Sequence, residues 1–119
     1  MMKYRGNNME LKEKVTLINK AIEDRKGYNI KNLDVSGVSP MCDAFVIASG
    51  SNKNQLQAIC DAVEEICRDN GIPMRDREGR AEGGWILLDY SDIIVHIFSS
   101  EMREFYNLDH TWKDAKVIA

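Results

Sequence analysis

Two strongly apolar runs, Trp85–Leu88 and Ile93–Phe98, stand either side of a short polar break at Tyr90–Asp92. β-branched and aromatic residues crowded on both sides of two to four turn residues predict a β-hairpin. With Ser91 and Asp92 as the two turn residues, Tyr90 pairs with Ile93 and Trp85 with Phe98. Strand alternation then puts Trp85, Leu87, Asp89, Ile94, His96 and Phe98 on one face. Ile86, Leu88, Tyr90, Ile93, Val95 and Ile97 take the other. Both faces are largely apolar, so both demand cover. The face that mixes in Trp, His and Asp has the composition of an interface, since Trp removes much apolar area while keeping a donor. The alternative places Trp85 in the core.

The rest of the chain supplies elements to pack on that hairpin. Leu11, Val15, Ile18 and Ile22 recur at helical spacing, predicting a helix over Met9–Arg25 with Gly27 as its stop. Ile30–Val35 reads as a short strand, and 36–40 as a turn. Asp43–Ser49 contains the unbroken apolar run Phe45–Ala48, the pattern of a central strand. Asn52 with Gln55 three residues on resembles a capping box, opening a helix to Asn70 that Gly71 and Pro73 end. Met74–Gly84 is a charged loop, with a short edge strand near Pro73–Arg77. A short amphipathic segment follows Ser99–Ser100 and ends near Tyr106. Thr111–Ala119 is a tail anchored by Trp112. Residues 1–8 read as a frayed, disordered extension, with Met9 an alternative start, and 9–119 as one domain. The order predicts an α/β fold: a mixed sheet of four to five strands with helices mainly on one face.

The bulk properties exclude several classes. With 119 residues, 44% of them apolar, a core forms without staples. The net charge of −3 argues against wrapping nucleic acid by charge. No run approaches the roughly 18 apolar residues of a membrane span, and the start has no secretory apolar region. The expected location is cytoplasmic. Cys42, Cys60 and Cys67 are an odd set, so reduced thiols are expected. Cys60 and Cys67, seven apart on a helix, suit core packing better than a metal. Gly50-Ser51 after a strand and before a helix is a nucleotidyltransferase-like feature. Such an enzyme needs two carboxylates on one side to hold Mg²⁺. Asp89 and Asp92 flank a turn and do not share a strand face. His96 has no serine, cysteine or carboxylate nearby in sequence to complete a catalytic set. Arg75, Arg77 and Arg80 with Glu78 and Glu82 read first as a solvated connector, and alternatively as a polar rim for a partner.

An ordered set of short motifs covers most of the chain: Asp34-Val35-Ser36-Gly37, Ser39-Pro40, Asp43 to Gly50, Glu78-Gly79, Trp85 to Tyr90, Asp92 to Phe98, Arg103 to Leu108, and Trp112 with Asp114-Ala115. This set resembles the ribosomal silencing factor family, also called Iojap-like. The run Trp85–Phe98 followed by Arg103 and Tyr106 is its specific part. The chain departs from the family at Ser91, where Gly is usual, at Asn52–Gln55, and at His110-Thr111 before Trp112. The resemblance implies a nucleotidyltransferase-like fold without catalytic residues, no cofactor, and a translational repressor. It implies docking on the large ribosomal subunit through its protein fourteen, which blocks joining of the small subunit when nutrients are scarce. It also implies a homodimer in the free state, and only peripheral contact with ribosomal RNA. Carried over position by position, the partner-binding residues are Trp85, Leu87, Asp89, His96, Phe98, Met102, Arg103 and Tyr106. The alternatives are a nucleotidyltransferase-like enzyme or nucleotide-binding protein, and a direct RNA binder.

Overall fold

The computed structural model describes residues 9–118. The extension assigned to residues 1–8 lies outside them. In chain order the elements are α1 (Leu11–Asp24), β1 (Tyr28–Asp34), β2 (Ala44–Gly50), α2 (Lys53–Asp69), β3 (Asp76–Arg80), a 3₁₀ turn at Ala81–Gly83, β4 (Trp85–Asp89), β5 (Ile93–Ser99), α3 (Ser100–Tyr106), α4 (Leu108–Thr111) and β6 (Lys116–Val117). The strands form one mixed sheet ordered β3-β4-β5-β2-β1-β6. β2 runs parallel to β5 and antiparallel to β1. All seven residues of β2 are buried, as its unbroken apolar run requires of a central strand.

The hairpin adopts the expected register, with Trp85 opposite Phe98 and Asp89 opposite Ile94. Its turn is closed by the Tyr90 amide donating to the Ile93 carbonyl at 2.9 Å. Ser91 sits there at φ 76°, in the left-handed region that favours glycine. Its amide donates to Asp89 Oδ1 at 2.8 Å, which holds the turn despite the missing glycine.

α1 and α2 cover one face of the sheet. Val15, Ile18 and Ile22 of α1 and Leu56, Ile59 and Val63 of α2 meet Val46, Ile86, Leu88, Ile93, Val95 and Ile97. The helices are also tied end to end. Asn52 Oδ1 accepts from the Gln55 amide at 2.9 Å, as expected of the cap. The Gln55 side chain accepts from the Ser51 amide and donates to the carbonyls of Arg25 and Lys26, at the end of α1. The left-handed residue ending α1 is Lys26, at φ 66°. Gly27 serves by close approach instead, because a Cβ there would lie 2.3 Å from Ile22 Cγ2.

The structure differs from the expected sheet in three places. There are six strands rather than four or five. The tail contributes β6, pairing Val117 with Leu33 and Lys116 with Asp34; two residues are too few to show alternation. The edge strand β3 runs Asp76–Arg80, displaced from 73–77. It lies in the charged loop, and its five residues are all exposed, so no hydrophobic pattern marks it. The second face of the sheet is also covered. Leu33, Val35, Phe45, Ile47 and Phe98 pack there beneath Met102, Leu108, Trp112 and Ala115 of the C-terminal segment.

Ser91→Gly is expected to stabilise the fold by about 0.5–1 kcal/mol, since relief of the left-handed penalty is partly offset by the freedom glycine adds to the unfolded chain. A urea midpoint that rises at constant slope checks this; an unchanged or lower midpoint contradicts it.

Candidate functional site

The face carrying Trp85 is built in layers. Innermost is Phe98, 1% exposed, then His96, 8% exposed. Their rings stack at 5.8 Å with planes 2° apart. Phe45 meets the His96 ring edge-on at 5.2 Å and Trp112 at 5.1 Å. Trp85 lies further out, half-buried, and its Nε1–H points at His96 Nδ1 at 3.4 Å. That contact leaves the other imidazole nitrogen, Nε2, to carry the proton of the neutral ring. Tyr106, 45% exposed, sits 5.8 Å from Trp85 and 5.7 Å from Phe98. Gly79, at φ 84° on β3, lets the strand pass tight against Trp85, because a Cβ there would lie 2.3 Å from the Trp85 carbonyl oxygen.

The eight residues expected to bind a partner therefore separate into two groups. Trp85, Leu87 and Asp89 project from β4 with partly buried side chains, and Met102 and Tyr106 of α3 border Trp85. Phe98, His96 and Arg103 turn inward. Phe98 and His96 sit beneath the C-terminal segment, which the strand pattern alone did not reveal. The Arg103 guanidinium forks onto Asp109, with Nε and Nη2 each 3.0 Å from a carboxylate oxygen. It also donates to Ser49 Oγ at 3.0 Å and to the Asn29 carbonyl. One side chain thus joins α3, α4, the end of β2 and the bulge of β1. The Asp109 carboxyl is held below the usual range, first by its hydrogen bonds from Arg103. Asp109 went unnoticed in the sequence because the pair is six residues apart and crosses a helix break at Asn107, φ 53°. Phe105, 75% exposed beside Tyr106, was also missed. Its aromatic character was visible in the sequence; its side of α3 was not.

Burial lowers the His96 pKa to about 4, so the ring is a neutral, weak base wedged among aromatics. Asp92 is held by Lys14 of α1 at 2.9 Å, and Asp89 by the Ser91 amide with Arg75 at 3.9 Å. Neither is poised with the other to hold Mg²⁺. Among the described residues, Cys60, Asp61 and Glu64 come close enough to share an ion. Burial pushes the Cys60 thiol up to about 12, and Glu64 already accepts from Arg77 Nη1 at 2.9 Å. A protonated thiol and a committed carboxylate make a poor ligand set. No helix among the described residues is long and apolar enough to cross a membrane.

Fold and site together define a mixed α/β sheet with a partly exposed aromatic strip supported from beneath. Residues 8–119 match the family model described as ribosomal silencing factor during starvation, and the chain belongs to that family. The ribosomal silencing factor of Halalkalibacterium halodurans is 32% identical over 110 residues, covering 92% of this chain and 94% of the relative. Chloroplastic protein Iojap of Zea mays is 28% identical over 99 residues, covering 83% of this chain and 43% of its own length. A crystal structure of a Chromobacterium violaceum protein superposes with a TM-score of 0.85 at 30% identity, covering 88% of both chains. The family's role is ribosome-associated regulation of translation, regulatory rather than catalytic.

Two variants test the inner layer. Arg103→Ala strands Asp109 and frees α3 from β1 and β2, so a loss of about 1–2 kcal/mol in folding stability is expected, discounted because Asp109 is partly exposed; an unchanged midpoint would show the fork to be idle. His96 has a folded pKa of about 4 against an unfolded value near 6.5. Between these values the unfolded chain binds the extra proton. Stability is therefore full above about pH 6.5 and falls toward pH 4, by about 3 kcal/mol in all. His96→Phe should flatten that slope; a slope equal to the parent's would assign it to other groups.

Proposed function

We propose that this chain represses translation by docking on the large ribosomal subunit through its protein fourteen and obstructing the small subunit. It acts in the cytoplasm, when nutrients are scarce, and performs no catalysis. The observation that carries this reading is the strip Trp85, Leu87 and Asp89. It is partly exposed on β4 beside the partly exposed Ile94, with Met102 and Tyr106 bordering Trp85, while His96 and Phe98 on the same face are covered by the chain itself. A large aromatic on a rigid strand, flanked by apolar and acidic neighbours, has the anatomy of a hot spot with a polar margin. Phe98, His96 and Arg103 support the strip from below by fixing the Trp85 ring and α3. With residues 9–119 as one domain, whose described part measures about 46 Å in its longest dimension, the protein acts as an obstruction. An acidic chain with a pI near 5.4 makes few phosphate contacts, so docking should depend only weakly on salt. A second copy is a further proposed occupant of the strip in the free protein, and a homodimer formed that way must open before docking. Light scattering at micromolar concentration reading twice 13.6 kDa supports the dimer, and a monomer mass removes it.

Trp85→Ala is expected to weaken binding to large subunits by about 2 kcal/mol, roughly thirtyfold, while the domain stays folded. Asp89→Ala should weaken binding less. Co-sedimentation with purified large subunits, alongside a thermal melt of each variant, reads both quantities. Undiminished binding by folded Trp85→Ala protein sinks the assignment, and nucleotide-dependent thermal stabilisation with Mg²⁺ would favour the enzyme alternative.

A further inference from the structure

A cavity of about 490 Å³ opens on the helix-covered side of the sheet, where α2 ends and β4 meets its turn. It is lined by Glu64, Arg68, Gly71, Ile72, Pro73, Met74 and Tyr90. We propose that it binds a small amphiphilic anion: an aromatic or branched apolar body carrying one carboxylate or phosphate.

Three observations converge on that chemistry. The first is apolar lining where a surface loop would ordinarily be polar. Ile72 is 3% exposed and Tyr90 4%, while Met74 stays 43% exposed at the lip beside Pro73. A cleft of this volume with mainly apolar walls suits one small molecule and is too small for a folded partner. The second is a stranded polar atom. Tyr90 lines the cavity, and its hydroxyl is buried with no hydrogen-bond partner among the described residues. The Cys67 thiol beside it is at most a weak hydrogen-bonding neighbour and offers no full oxygen or nitrogen partner. Burying a hydroxyl unpaired is unfavourable, so a ligand oxygen brought to it recovers a contact that folding left out.

The third is charge. Glu64 and Arg68 are four apart on α2, a spacing at which they would ordinarily pair. Glu64 instead turns to Arg77 of β3, at 2.9 Å. Arg68 is left at the rim with no ion pair among the described residues, and a guanidinium is suited to a carboxylate or phosphate. The last carbonyls of α2 do not disfavour an anion there as bare ones would. Those of Ile66, Cys67 and Arg68 already accept from Asn70, Ile72 and Gly71. An apolar body against Ile72, Pro73 and Met74, with its single anionic group held by Arg68 and one oxygen of that group turned toward Tyr90, makes one consistent pose. The cavity opens on the opposite face of the sheet from Trp85.

The test is a titration of the full chain, labelled with ¹⁵N, using 1-naphthoate, 1-naphthyl phosphate and neutral 1-naphthalenemethanol. Saturable shifts are expected at the amides of Gly71, Ile72 and Met74. Both anions should bind at least fivefold more tightly than the alcohol. Arg68→Gln, a change at an exposed position that leaves the core intact, should abolish that preference. Tyr90→Phe should weaken all three probes severalfold while leaving the thermal midpoint equal to or above the parent's, because it removes the stranded hydroxyl. Tighter binding of one anion than the other identifies the headgroup and supports the site either way. Absence of shifts at these amides with millimolar probe, shifts centred elsewhere, or an anion preference that survives Arg68→Gln would overturn the proposal.

Discussion

The parallel pairing of β2 with β5 is the constraint from which the rest follows. Seven consecutive pairs, from Ala44 with Ile93 to Gly50 with Ser99, place two almost wholly apolar strands side by side. Strands of that composition cannot leave either face in water. A parallel pair also cannot be joined by a hairpin, so the chain must travel between them through a helix. α2 makes that journey and covers the first face together with α1. The second face needs its own cover, and among the described residues the segment after β5 supplies most of it. The C-terminal segment therefore folds back, laying Met102, Leu108, Trp112 and Ala115 over Phe45, Ile47 and Phe98, and β6 closes the sheet beyond β1.

The short return segment has little stability of its own. α3 and α4 have seven and four residues, below the length at which a helix persists alone in water. Fixing them falls to side chains, and Arg103 is the main one. Its fork onto Asp109 would be worth little on an open surface, but here its side chain is 13% exposed and it also reaches Ser49 and the Asn29 carbonyl. The consequence for recognition is direct. Tyr106 and Met102 border Trp85 only while α3 is held in this orientation. A largely buried side chain thus sets how the surface around Trp85 is presented.

Much of this was legible from residue order. The hairpin register, its two faces, the central strand and the Asn52 cap follow from short-range rules: alternation, turn length and local hydrogen bonding. What the sequence concealed depends on contacts between distant segments. A strand of charged residues such as Asp76–Arg80 is defined by its neighbour β4 and shows no pattern of its own. β6 is defined by β1 in the same way. The candidate site divides along the same line. Trp85, Leu87 and Asp89 are placed by alternation and stay at the surface. His96 and Phe98 share their face by the same rule, yet are buried by a segment whose path depends on Trp112 and on the Arg103 fork. The alternation rule assigns a side of the sheet; whether that side is wet depends on chain that comes later.

The uncovered strip can therefore be understood as a remainder. Among the described residues the C-terminal segment roofs Phe45, Ile47 and Phe98, but over β4 it reaches Trp85 with Tyr106 and Met102. A monomer designed only for stability would place polar residues there, since exposed aromatic and aliphatic surface on a strand near a sheet edge invites association. Trp85 and Leu87 instead remain apolar, with Asp89 following on the same face and Gly79 of the edge strand drawn in against the Trp85 backbone. β3 blunts the edge with charge, as five exposed residues that include Asp76, Arg77, Glu78 and Arg80. The apolar strip thus lies inside a charged border that discourages strand addition while leaving the face of the sheet open. Such a surface favours a partner that docks on the side chains of β4 over one that extends the sheet.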